Sequence, residues 1–240
     1  MSPGAQTRKQ PYWSYEDLAL FVGAVLPSLA LAELLLRAGR ALAPPAFSSE
    51  AVATLTFQSL FYALLLGALY MLISWRYGSP FWRSLRWTFD YSGAWLCLAT
   101  GPVLAVATSA LGVVLRAPAV SPIQDLITDR VSLIVVMLFA TLLGPTFEEL
   151  VFRGFLLPLL ERSLGAWPGI IGAAIPFAFV HGPMYQWAWQ QIFLAGLAGI
   201  VFGYARSKTG STTGAATVHV SYNMTFFLGF VVQRWIYSSL

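Results

Sequence analysis

Three stretches carry polar side chains that an apolar chain has no structural need to hold. "GPTFEELVFRGF" places Glu148, Glu149 and Arg153 in a greasy run. "IPFAFVHGP" ends an apolar segment on His181, with Phe177 one turn earlier, and "ATVHVSYNMTFF" sets His219 and Asn223 four residues apart. These include both histidines of the chain. An ionisable group at membrane depth costs roughly 2.5–3.5 kcal/mol on insertion scales, so each one calls for a function or a partner.

On a helix Glu149 and Arg153 share a face and can pair, whereas Glu148 is turned by about 100° and can point elsewhere. The spacing therefore assigns Arg153 to hold Glu149 and leaves Glu148 free for chemistry. The structural alternative is a buried salt-bridge knot of all three. His181 alone reads as a helix-end residue before the stop Gly182-Pro183, and Asn223 alone as polar glue between membrane helices. Taken together, a spare carboxylate, two imidazoles and a carboxamide supply the parts for hydrolysis by water. Glu148 and His181 activate the water, while His219 and Asn223 face the negative charge that develops on a carbonyl oxygen. A second version makes Glu148, His181 and His219 a zinc (Zn2+) site with an open fourth position. Residue spacing does not choose between them; the soluble zinc signature H-E-x-x-H is absent.

The elements that must position these groups are membrane helices. Of 240 residues, 58% are hydrophobic and 10% charged, against roughly 25% charged in soluble domains. Seven apolar segments are read at roughly 18–36, 55–73, 95–115, 131–160, 168–181, 191–205 and 214–236. This predicts an all-α, polytopic transmembrane bundle of about seven to eight helices around a polar intramembrane cavity. We read one domain, 1–240, with the motif-bearing core at about 131–236. Gly144-Pro145 predicts a kink or break in the long fourth segment. The fifth and sixth are short and expected near the centre of the bundle. Phe81, Leu85 and Phe89, four residues apart, predict an interfacial helix with Arg83 and Arg86 on its outer surface. The first segment is read as a retained span, because Arg37 and Arg40 precede the faint cleavage-like Ala41-Leu42-Ala43. The lone Cys97 is a small buried hydrophobe with no intrachain partner.

The net charge of +4 is carried by Lys and Arg lying mostly between apolar runs, so the lipid bilayer, not nucleic acid, is the expected electrostatic partner. Eight loop cations (Arg8, Lys9, Arg76, Arg83, Arg86, Arg162, Arg206, Lys208) fall on the side of the N-terminus. Five (Arg37, Arg40, Arg116, Arg130, Arg234) fall on the other. That bias predicts a cytoplasmic N-terminus, in the plasma membrane if the owner is prokaryotic.

Glu148-Glu149-x-x-x-Arg153, Phe177-x-x-x-His181 and His219-x-x-x-Asn223, in that order on successive segments, resemble the three motifs of the CPBP (ABI) intramembrane proteases. That family includes the type II CAAX prenyl endopeptidases and bacterial proteins linked to bacteriocin self-immunity. The resemblance covers roughly residues 144–227. It implies a CAAX-type intramembrane metalloprotease or glutamate-water protease, with Glu148 as catalytic carboxylate and His181 as its partner on the water. By the same resemblance His219 and Asn223 form the metal-binding or oxyanion pair, and Arg153 is structural. The implied partner is a peptide or protein substrate, with or without a lipidated or membrane-embedded segment. Two other classes fit the composition: a non-catalytic scaffold or immunity protein of the same fold, and an ion-coupled transporter. The absence of an internal repeat speaks against the transporter.

Overall fold

The computed structural model describes residues 11–89, 93–118 and 125–238. Eight helices, and no strand, are present among these residues: α1 (Tyr15–Leu42), α2 (Glu50–Arg76), α3 (Phe81–Ser84), α4 (Ala94–Val114), α5 (Arg130–Leu164), α6 (Ala166–Val180), α7 (Trp189–Thr209) and α8 (Thr212–Ser238). Five of them, α1, α2, α4, α5 and α8, are long and apolar enough to cross a membrane. The protein is therefore integral to a membrane. Arg8, Lys9 and most of the proline-rich loop before Ile127 lie outside the described residues.

Helix starts follow local chemistry. Ser14 and Asp17 form a capping box ahead of α1, and Asp129 and Ser132 form another ahead of α5, so each pair satisfies amides that have no helical acceptor. The first apolar segment belongs to the bundle: Trp13, fully buried, stacks on Phe155 of α5 and donates its indole N–H to the Phe155 carbonyl at 3.0 Å.

Gly144-Pro145 produces no break. Instead α5 runs as one helix of 35 residues with two π-helical stretches, Phe139–Leu143 and Leu150–Leu156, on either side of Gly144–Glu149. The physical reason is legible in the hydrogen bonds. In the π register the Gly144 amide bonds the Phe139 carbonyl, and the next donor in that register, at 145, is a proline with no N–H. The Ala140 carbonyl thereby loses its π-helical partner, and Asn223 Nδ2 of α8 donates to it at 2.8 Å.

Two segment readings change. The sixth segment is longer than its apolar stretch suggests, because α7 spans 21 residues with Arg206 and Lys208 in its last turn. The predicted interfacial helix is confined to Phe81–Ser84. Phe81 and Leu85 are buried while Phe89 is exposed, so the three do not share a face. The turn that ends the helix puts Arg86 at φ 54°. As expected, α6 is short, at 15 residues, and Cys97 is free and buried.

The α4–α8 pair forms one of the main contacts of the bundle, and it depends on a glycine. A Cβ at Gly101 would lie 1.9 Å from Ser221 Oγ and 2.5 Å from the Tyr222 amide nitrogen. Part of that obstacle is backbone, which cannot rotate away. We expect Gly101→Ala to destabilise the protein by about 1–3 kcal/mol through overpacking, read as a lower melting temperature in detergent. An unchanged melting temperature would show that the two helices are less tightly apposed.

Candidate active site

Glu149 and Arg153 form the base of the site. Both side chains are fully buried, and Arg153 Nη1 donates to Glu149 Oε1 at 2.8 Å. Nη2 donates to the Gly199 carbonyl of α7 at 2.8 Å, and the guanidinium lies 4.3 Å from the ring centre of Phe177 and 5.3 Å from that of Phe202. The close approach of α7 requires Gly199: a Cβ there would meet Phe177 at 2.9 Å and Arg153 Nη2 at 3.3 Å. A buried charge is tolerated only when paired and hydrogen-bonded, and this arginine has a carboxylate, a carbonyl and aromatic faces.

His219 rises from α8 onto that base. Its Nδ1 is 2.9 Å from Glu149 Oε1, and its ring stacks on Phe202 with centres 4.3 Å apart. A carboxylate paired with arginine accepts, so Nδ1 carries a hydrogen and Nε2 is turned toward Glu148. His181 caps α6, with Nδ1 2.7 Å from the Phe177 carbonyl. A carbonyl oxygen can only accept, so His181 Nδ1 carries a hydrogen and Nε2 is left to face Glu148. Phe177 touches both imidazoles and the arginine.

The two Nε2 atoms face the same target. Glu148 Oε2 is 3.8 Å from His181 Nε2 and 3.8 Å from His219 Nε2. These separations are too long for direct hydrogen bonds and are of the kind that a shared water fills. The Glu148 and His181 side chains are 15% and 18% exposed and His219 is 4% exposed, so Glu148 and His181 are the accessible members of the group. Two cavities found elsewhere in the bundle contain none of these residues. Asn223 stands one turn beyond His219, and its amide bonds Ala140 rather than Glu148 or either imidazole.

The zinc alternative was tested against the same distances. Ligands about 2.0–2.2 Å from a tetrahedral ion stand roughly 3.4 Å apart, closer than the 3.8 Å between Glu148 and each imidazole. Among the described residues, no group of three or more His, Cys, Asp or Glu is placed to hold a metal ion. The residues as placed do not fit zinc, and no step below is routed through one.

One contributor had no sequence signal. Tyr62 of α2 donates its hydroxyl to Glu148 Oε1 at 3.4 Å and stacks on Phe147 with ring centres 3.8 Å apart. Gly199 and Phe202 were also missed, although Gly196, Gly199 and Gly203 along α7 are the small-residue spacing that lets membrane helices approach.

Residues 130–225 match the Rce1-like type II CAAX prenyl endopeptidase family. The matched stretch begins with α5 and ends two residues past Asn223, so it contains every candidate residue except Tyr62. No curated protein and no solved structure matches the chain.

Proposed function

We propose that the protein is an intramembrane endopeptidase that cleaves a peptide bond with water activated by Glu148 and His181. The observation that carries this reading is the convergence of Glu148 Oε2 on two imidazole nitrogens at 3.8 Å each, with Glu148 and His181 partly exposed. A water seated between Glu148 and His181 donates one hydrogen to Glu148 and one to His181 Nε2. Glu148 takes the proton as the oxygen attacks the carbonyl carbon, and returns it to the leaving amine. His219, in its protonated form, donates Nε2–H to the oxyanion, and Glu149 stabilises that imidazolium through Nδ1. Asn223, one turn beyond His219, is the second donor we assign to the oxyanion, through the Nδ2 hydrogen that Ala140 does not hold. The substrate we assign is a peptide whose scissile bond lies near a lipidated or membrane-embedded segment, a reading supported by the family match.

The test is cleavage of an internally quenched peptide by the purified protein in liposomes. Activity that survives EDTA supports the water mechanism; activity lost to EDTA and restored by zinc supports the metal version. Tyr62→Phe removes a long hydrogen bond to the base, and we expect kcat/KM to fall by about threefold to tenfold, with no change in melting temperature beyond that of a surface substitution. An unchanged rate would remove Tyr62 from the site. The scaffold alternative predicts that Glu148→Gln supports full function in the owner cell. The transporter alternative predicts ion-driven uptake that this substitution abolishes.

A further inference from the structure

A second polar feature lies away from the candidate active site. A cavity of about 430 Å3, lined among others by Ser84, Arg86, Glu161, Arg162, Arg206 and Gly210, opens at the end of the bundle where α5 and α7 finish and α8 begins. Its size falls in the roughly 300–1,000 Å3 range of small-ligand sites. Three arginines meet there against one glutamate, whose Oε1 already accepts from Ser207. Among the described residues none of the three arginines forms an ion pair.

Arg206 decides the matter. Only 8% of it is exposed, and its hydrogen bond within the protein is from Nε to Thr212 Oγ1 at 3.1 Å. Its two Nη groups have no acceptor among the described residues. Burying a cation is costly; Glu161 offsets part of that cost from beyond ion-pair distance, while Arg86 stands near enough to add repulsion. Arg162 spends one nitrogen on the Pro11 carbonyl, at 2.6 Å, and keeps the rest of its fork.

Arg86 sits at φ 54°, a conformation that glycine adopts freely and an arginine does not. It is held there by α8: the Thr212 amide bonds the Arg86 carbonyl at 2.9 Å, Thr212 Oγ1 the Leu85 carbonyl at 2.5 Å, and Ser211 Oγ the Thr88 carbonyl at 2.6 Å. A strained residue that keeps a charged side chain is a functional signature. The depth is also informative. Trp167 stacks on Tyr204, Lys208 lies over the same tyrosine, and Trp82 and Trp167 are exposed. Aromatic and basic residues in this mixture mark the head-group layer.

We propose that this cavity binds a phosphate-bearing anion through the guanidinium forks of Arg86, Arg162 and Arg206. Three forks from three elements suit a tetrahedral group with several oxygens better than a carboxylate with two. The source is either a phospholipid head group or phosphate from the aqueous phase. The inference stands apart from peptidase activity.

The full chain in detergent would be titrated calorimetrically with dihexanoyl phosphatidylglycerol, with inorganic phosphate, and with dihexanoylglycerol, which has the same chains without phosphate. We expect saturable binding of at least one phosphate probe and none of dihexanoylglycerol. Arg162→Gln and Arg86→Gly should each weaken it by about tenfold or more. Arg86→Gly also relieves the backbone, so its melting temperature should not fall, which separates lost binding from lost fold. Tight phosphatidylglycerol with weak inorganic phosphate assigns the site to lipid, and the reverse assigns it to soluble phosphate. Absence of binding by both probes, or parent-like affinity in both variants, overturns the proposal.

Discussion

Glu148→Gln is expected to lower kcat for peptide cleavage by about 10²–10⁴-fold, the usual contribution of a general base, while the melting temperature stays near that of the parent. The substitution keeps the shape of the side chain and an oxygen for the Tyr62 hydroxyl, which donates to Glu148 Oε1 in the parent. What it removes is the capacity to take a proton from water held against His181 and His219. His181→Ala should cost a similar factor, because it takes away the Nε2 acceptor that the Phe177 carbonyl orients. Both rates would be followed in proteoliposomes with an internally quenched peptide, beside thermal unfolding of the same samples. Parent-like turnover by Glu148→Gln would eliminate the base, and the bundle would then be better read as a binding scaffold.

Arg153→Met should act on the fold first. It leaves Glu149 as an uncompensated charge in a site where both side chains are fully buried, a change that costs about 3–5 kcal/mol when one partner of a buried pair is removed. The loss reaches the chemistry too, because Glu149 Oε1 is the atom that holds His219 Nδ1. The double variant Arg153→Met with Glu149→Gln should recover much of the melting temperature but little of the activity, since a neutral amide no longer stabilises the imidazolium of His219. Equal melting temperatures for the single and double variants would show that the pair is not the electrostatic unit described here.

The division between sequence and fold is clear at individual residues. Spacing alone placed Arg153 on Glu149 and left Glu148 to point elsewhere, because 3.6 residues per turn makes i and i+4 neighbours and separates i from i+1. It also marked the membrane helices, since a hydrocarbon core demands long apolar runs with their backbone bonds satisfied internally. It misjudged the strap after α3, where a helical spacing of Phe81, Leu85 and Phe89 was overridden by hydrogen bonds from the α7–α8 turn. It gave no sign of Tyr62, whose place beside Glu148 depends on how α2 packs on α5.

Local periodicity determined the helices, their apolar character and the pairing within one turn. Tertiary packing alone decided which atoms meet: that Glu149 orients His219 from 70 positions away, that Asn223 completes a carbonyl stranded beside Pro145, and that Arg86, Arg162 and Arg206 share one cavity. The physical reason is that a helix constrains neighbours a turn apart, whereas contacts between helices follow from the close approach of whole surfaces, which Gly101 and Gly199 permit by lacking a side chain.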